Sequence, residues 1–357
     1  MRLMILLSSF FFIFNSFAGE IKLMAYNVHN LFDTTHDKGK NDWAFLPKSY
    51  PGKMDNCRKM KSFYRKKECL QTDWNDSKLL IKINQIKEAI KLGGELDIIG
   101  LVEVENQFVV DKLKKKINFR NSIVTESQDA RGIDVALLYN ESKDLKFVSR
   151  KRHVLSGNVF IKKPTRDILE VEFLVQGKYP LFVFVNHWPS LANPDETRVM
   201  AANLLKSRID FIKTQKSEAS FVAMGDFNTI PDLKNGSSIH PLRDVLLKDE
   251  SLVDLDAKVR SSQSLKDGLM MGKGTYYYKK DKKWNMLDRF FVNDSLYERS
   301  SGLRFKKGSY KILNDLKITR EYKVTKEMIP HSYNHKAVTK VLAGYSDHFP
   351  IIMSLQY

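Results

Sequence analysis

The chain predicts an α/β fold in a single domain, and three observations carry that expectation. Short apolar runs of strand character recur from residue 21 to the end, and some are apolar on both faces, as in a sheet covered by helices. Segments with apolar residues at helical spacing fall between them. No internal repeat and no Ser/Gly-rich linker divides the sequence, and its 357 residues suffice for one large core.

At the amino terminus, Arg2 precedes an apolar run to Phe14, then the small-x-small sequence Ser16-Phe17-Ala18. This is the pattern of a secretory signal peptide, with cleavage expected near Ala18 or Gly19. The run is too short for a comfortable membrane span, and no later run could cross a bilayer. Residues 1–18 are read as a removed leader and 19–357 as the domain, which implies a secreted or periplasmic protein without a stable membrane anchor, acting as a monomer. Cleavage removes one arginine and no acid, so 59 − 1 = 58 basic residues face 42 acidic ones, a net charge of +16. Such an excess points to a polyanionic partner or an anionic membrane surface. Cys57 and Cys69 are expected to pair as a disulfide within one surface segment of an exported chain.

Taken in order, Ile21 to Val28 alternates as a first strand and delivers Asn27 near its end. Residues 34–77 are polar and irregular, with ten Lys/Arg against five Asp/Glu between Lys38 and Ser77, and read as a surface insertion. Leu79 to Leu92 places Leu80, Ile83, Ile86 and Ile90 at helical spacing before Gly93-Gly94 ends it. A strand buried on both faces starts near Asp97 and ends at Glu103, and alternation sets Glu105 on the same face as a rival ligand. Asp111 to Lys116 reads as a helix with a solvated basic face. Arg131 to Tyr139 and Thr165 to Phe173 are further strands, the second half-buried. Leu181 to His187 is a core strand, and a helix follows over roughly 196–214.

Phe221 to Met224 is apolar until Gly225 lets the chain turn as it exits the sheet. Asp226 and Asn228 follow, two residues apart, which an extended backbone aims to one side. Residues 232–272 are loop-rich. Gly274 to Trp284 interleaves tyrosines and lysines as a hairpin, Leu287 to Val292 is a strand carrying Asp288, and Arg304 to Lys340 reads as a second variable loop. Gly344 to Leu355 turns through Asp347 and His348 into the last strand.

Apolar strands that each deliver a carboxylate, amide or imidazole at an edge suit a hydrolytic site built on a hard divalent cation. Oxygen ligands favour magnesium, manganese or calcium over zinc. A phosphate-cradling Gly-rich loop and a Ser nucleophile elbow are both missing from the sequence.

Six pieces stand in one order along nearly the whole mature chain: Tyr26-Asn27-Val28, Leu101-Val102-Glu103-Val104, Asn186-His187, Gly225-Asp226-Phe227-Asn228, Leu287-Asp288-Arg289 and Ser346-Asp347-His348-Phe349-Pro350. In these the chain resembles the endonuclease/exonuclease/phosphatase superfamily, in particular its deoxyribonuclease I branch. The resemblance implies a four-layer α/β sandwich of two packed, mostly antiparallel sheets flanked by helices. It implies a metal-dependent phosphodiesterase acting on nucleic acid, DNA ahead of RNA. Asn27 and Glu103 would hold the metal with Asp347 near it, and Asp226 and Asn228 would orient water or phosphate. His348, paired with Asp288, would act on the water, and His187 would serve as donor or general acid. Arg166 and Arg131 would contact phosphate. The branch pairs its equivalent of His187 with a Glu that this chain lacks near residues 131–133, and Asp134 is the substitute on offer. Competing functions are a sphingomyelinase-like or inositol-phosphate hydrolase of the same fold, and a non-catalytic nucleic-acid-binding protein.

Overall fold

The computed structural model describes residues 19–233, 236–262 and 272–357. The leader expected at residues 1–18 lies outside the described residues. Strand β1 spans Glu20–Leu31, and the insertion after it folds into helices α1 (Lys53–Lys59) and α2 (Phe63–Gln71). Next come α3 (Asp76–Lys91), β2 (Ile98–Val104), α4 (Gln107–Ile117), β3 (Asn121–Val124) and β4 (Asp134–Tyr139). The second half opens with β5 (Leu145–His153), α5 (Asn158–Lys162), β6 (Ile168–Val175) and β7 (Tyr179–His187). It continues through α6 (Asp195–Gln215), β8 (Ser220–Asp226), β9 (Leu252–Asp254) and α7 (Leu255–Ser262). Strands β10 (Tyr276–Tyr278) and β11 (Lys283–Asn285) form a hairpin before β12 (Asp288–Asn293). The short strands β13 (Arg304–Phe305) and β14 (Lys311–Ile312), the hairpin β15 (Thr319–Tyr322) and β16 (Glu327–Pro330), and β17 (Ile351–Gln356) complete the chain.

Two sheets result. One runs β13-β17-β1-β2-β4-β3 with β14 also on β17, and the other runs β5-β6-β7-β8-β12-β9. Each is antiparallel except for one central parallel pair, β1–β2 in the first and β7–β8 in the second. The strands of the second sheet alternate between two cores. Val183, Val185, Val222, Met224 and Phe290 face the first sheet, while Phe182, Phe184, Phe221, Ala223 and Phe291 pack under Ala201, Leu205 and Ile209 of α6. Helices α3 and α4 bury Ile83, Ile86, Val109 and Leu113 against the first sheet. The order helix, sheet, sheet, helix is the four-layer sandwich. The sheets approach closely where Gly100 of β2 meets Met224 of β8; a Cβ there would lie 2.7 Å from the Met224 methyl.

Several elements differ from expectation. Leu80 is exposed, and the buried face of α3 instead runs through Leu79, Lys82, Ile83 and Ile86. Strand β6 is buried along most of its length because α6 covers its outer side. Segment 304–340 is not simply a loop: β13 and β14 extend the first sheet along β17. In the insertion, Cys57 and Cys69 are joined by a disulfide with their Cα atoms 5.5 Å apart.

A charge cluster ties α6 to the second sheet. The Arg208 guanidinium donates to both oxygens of Glu170, at 2.6 and 2.8 Å, and His153 of the edge strand approaches the same carboxylate at 2.6 Å. Burial works against the Glu170 carboxylate, but Arg208 and His153 outweigh it and bring its pKa down to about 2. A depressed carboxylate pKa stabilises the fold above the unfolded-state value, and that contribution is lost as pH falls through the folded value. Glu170→Gln is therefore expected to lower stability at neutral pH by about 2 kcal/mol, measured by urea unfolding. The gap from wild type should close as pH falls from about 4.5 to about 2.

Candidate active site

Three adjacent strands of the second sheet end in register. His187 pairs across the ladder with Asp226, and Asp226 pairs with Asp288. One edge thus presents an imidazole and two carboxylates in a row, with Asp226 in the middle. Gly225 is required there for a reason beyond turning: its φ is +123°, and a Cβ would sit 2.1 Å from the Asn186 carbonyl oxygen. Beyond it, Asn228 takes φ +47° and its backbone N–H donates to the Asp226 carboxylate at 2.9 Å. The Asx turn is real and sits inside the site.

The first sheet supplies the facing half. The β2–β4 register shifts between Val102 and Val104, and Glu103 occupies the irregularity with φ +65°. This bulge breaks the alternation and turns Glu103 into the cleft. Glu105 is consequently not a rival: it is buried elsewhere, accepting the Asp33 backbone N–H at 2.7 Å. Burial, with Asp33 beside it, pushes its pKa up to about 10. Asn27 donates from its side chain to Asp226 at 3.1 Å, bridging the two sheets. Asp347 and His348 precede β17, where Ser346 anchors the turn by donating to the Asn27 carbonyl at 2.7 Å.

His348 Nδ1 lies 2.6 Å from Asp288, and its Nε2 lies 4.0 Å from Asp226. Burial disfavours a charged ring, but Asp288, Asp226 and Asp347 outweigh it and raise the His348 pKa to about 10. Asp226 is pushed up to about 7 by burial, against the pull of His348. His187 lies 3.8 Å from Asp226 and 3.9 Å from Glu103. Burial, and then Arg166 and Arg131, hold its pKa well below the usual histidine range, so the ring is neutral. Its Nδ1 has no hydrogen-bond partner among the described residues. Asp134 does not supply one; its Oδ1 accepts from the Thr125 hydroxyl and the Ser127 backbone N–H at 2.7 and 2.6 Å.

Arg166 is buried, donating to the Trp188 carbonyl at 2.7 Å and reaching Asp129 at 3.4 Å, and its Nε has no partner among the described residues. Arg131 pairs with the same Asp129 at 3.3 Å. Glu103, Arg131, Arg166, His187, Asp226, Asn228, Asp347 and His348 all line one open cleft of about 740 Å³.

Two groupings could hold a cation. Asp226, Asp288 and His348 lie close enough geometrically; the His348–Asp288 hydrogen bond uses Nδ1 and one carboxylate oxygen, and leaves the ring Nε2 and a buried Asp288 oxygen without a hydrogen-bond partner among the described residues. The Glu103 carboxylate receives no hydrogen bond from any described residue, its nearest recorded partner being neutral His187. The family resemblance joins to it Asp347 and the Asn27 amide oxygen, which accepts the His29 backbone N–H at 3.0 Å; such an all-oxygen set fits a hard divalent cation.

The sequence model for the endonuclease/exonuclease/phosphatase family matches residues 22–357. The chain belongs to that family. Members of the endonuclease/exonuclease/phosphatase family are phosphoesterase hydrolases, typically dependent on a divalent metal. A Bacteroides thetaiotaomicron member of the family superposes with a TM-score of 0.52 at 15% identity, over 95% of this chain and 96% of that one. A humanized D. rerio TDP2 gives 0.51 at 12% identity, over 95% and 99%. The B. thetaiotaomicron mannosyl-6-phosphatase gives 0.50 at 15%, over 94% and 100%. At these identities the likeness is one of fold. No curated protein sequence matches the chain.

Three participants escaped the sequence reading. Lys82, buried on α3, donates to the carbonyls of His29 and Tyr345 at 3.0 and 3.2 Å, bracing the segments that carry Asn27 and Asp347. Burial lowers its pKa to about 7 against the opposing pull of Asp347 and Glu103. Thr275 accepts the Leu287 and Asp288 backbone N–H groups at 3.2 and 3.1 Å, and the Tyr276 ring lies 4.9 Å from that of His348. The Gly225 contact gives a direct test. Gly225→Ala should destabilise the fold by about 3 kcal/mol or more, measured by thermal or urea unfolding, whereas Gly177→Ala, open to solvent at φ +64°, should cost far less.

Proposed function

We propose that this chain is a metal-dependent phosphodiesterase that hydrolyses nucleic acid, DNA ahead of RNA, outside the cytoplasm. The observation that carries the reading is the Asp288–His348 pair at 2.6 Å, aimed with Asp226 into a cleft walled by Arg131 and Arg166. Asp288 fixes the ring so that Nε2 faces the cleft, where His348 takes a proton from the attacking water. Asp226 and Asn228 orient that water and the phosphate. His187, held neutral, donates a hydrogen bond to a phosphate oxygen rather than acting as an acid. The free Nε–H of Arg166 lies in a buried position suited to an anion. Glu103 and Asn27, with Asp347, would hold magnesium, manganese or calcium. A cation held there would offset the crowded carboxylates that keep His348 protonated and would stabilise charge on the phosphate. The net charge of +16 favours a polyanionic substrate over a small neutral one.

Residues 19–357, purified and incubated with supercoiled plasmid, should nick and linearise it in magnesium, manganese or calcium, and do nothing in EDTA. His348→Ala should lose about 100-fold or more in rate, and Asp288→Asn should follow it. Failure to cut with any of the three metals overturns the proposal. Phosphocholine release from sphingomyelin vesicles without plasmid cleavage would assign the same chemistry to a lipid headgroup.

A further inference from the structure

The insertion between β1 and α3 ends in a feature that the hydrolytic site does not use. Helix α2 begins with Phe63 and Tyr64, whose side chains are 70% and 83% exposed, with ring centroids 5.8 Å apart. The next residue, Arg65, reaches into the same cleft as Glu103, His187 and Asp226. Its guanidinium has no carboxylate partner among the described residues. From Lys53 to Gln71 the segment carries seven Lys/Arg and two Asp/Glu, and Asp55 is engaged by Arg58 at 2.9 Å.

This segment is braced at its base. The Cys57–Cys69 disulfide clamps α1 to α2. The buried Lys53 ammonium donates to the carbonyls of Leu46 and Thr72. Trp74 donates to the Phe32 and Asp33 carbonyls, where the chain leaves β1. The backbone that carries the two solvated rings is therefore held in place near the cleft, with the rings edge to face at 80°, and little backbone ordering entropy remains to be lost when something covers them.

We propose that α2 is a platform for single-stranded nucleic acid: Phe63 and Tyr64 stack on unpaired bases while Arg65 takes the adjoining phosphate. The inference deepens the nuclease reading and rests on it. Stacking needs a free base face, which a duplex does not offer. A bilayer is the other surface that takes exposed aromatics beside cations, but the Arg65 side chain follows the cleft wall, where a strand can enter and a bilayer cannot.

The test measures binding in EDTA, so that it reads the platform whether or not the strand is cut. Fluorescence anisotropy of labelled oligothymidylate and of a labelled blunt duplex is followed in residues 19–357 and three variants. Wild type should prefer the single strand. The double variant Phe63→Leu/Tyr64→Leu should weaken oligothymidylate binding roughly tenfold and leave duplex binding little changed. Phe63→Trp/Tyr64→Trp should retain the preference, which separates stacking from mere loss of apolar surface. Arg65→Ala should weaken both ligands and reduce the salt slope by about one. Equal binding of strand and duplex by wild type, an unchanged preference in the leucine variant, or a loss on anionic phosphatidylglycerol vesicles with none on oligothymidylate would each overturn the proposal. A chain that binds oligothymidylate as described yet cuts no nucleic acid would overturn the nuclease reading alone.

Discussion

Asn27 of the first sheet and Asp226 of the second meet at 3.1 Å across the seam between the sheets, and the site depends on that approach. Each sheet alone offers only half a constellation. His187, Asp226 and Asp288 come from one, and Asn27, Glu103, Asp347 and His348 from the other. Packing of the apolar inner faces, close enough that a Cβ at Gly100 would crowd the Met224 methyl, sets the gap. The His348–Asp288 bond at 2.6 Å closes the seam a second time, further along the edge.

Bringing so many carboxylates together under burial is costly, and the protein offsets the cost locally. The imidazolium of His348 and the ammonium of buried Lys82 sit among Asp226, Asp288, Asp347 and Glu103. On the other wall, Arg131 and Arg166 share Asp129, and burial, reinforced by Arg166 and Arg131, keeps His187 neutral. Some backbone strain falls in the same place: Glu103 and Asn228 are among the non-glycine residues that adopt left-handed φ angles. Stability elsewhere, from two cores and from the Arg208–Glu170 contact, holds these residues in position. The scaffold thus carries a charge-dense edge, which the proposed cation and phosphate would occupy.

Much of this was legible in the sequence because apolar strand runs end in polar residues, and the register of those ends follows from simple ladder pairing. Asp226 and Asn228, for example, follow a buried strand two residues apart, and the family resemblance assigns them to the site. What the sequence concealed was decided by backbone geometry or by distant partners. The bulge at Glu103 leaves no mark in residue type, so strict alternation wrongly grouped Glu105 with it. Nothing in the sequence marks Lys82, because the carbonyls it braces lie 53 and 263 residues away. Leu80 fitted helical spacing equally well but faces solvent, since the first sheet meets α3 through Leu79 and Ile83 instead. Asp134 lay close to the expected position of a partner for His187, yet Thr125 and Ser127 claim it.

The central claim is that oxygen ligands from the first sheet hold the cation, beside an acid–base pair that spans the seam. Titration calorimetry of manganese into the metal-free chain tests it most directly, comparing wild type with Glu103→Gln and Asp288→Asn. The account predicts that Glu103→Gln abolishes the binding heat, while Asp288→Asn retains it. Retention in Glu103→Gln together with loss in Asp288→Asn would contradict it, placing the ion on Asp226, Asp288 and His348 instead.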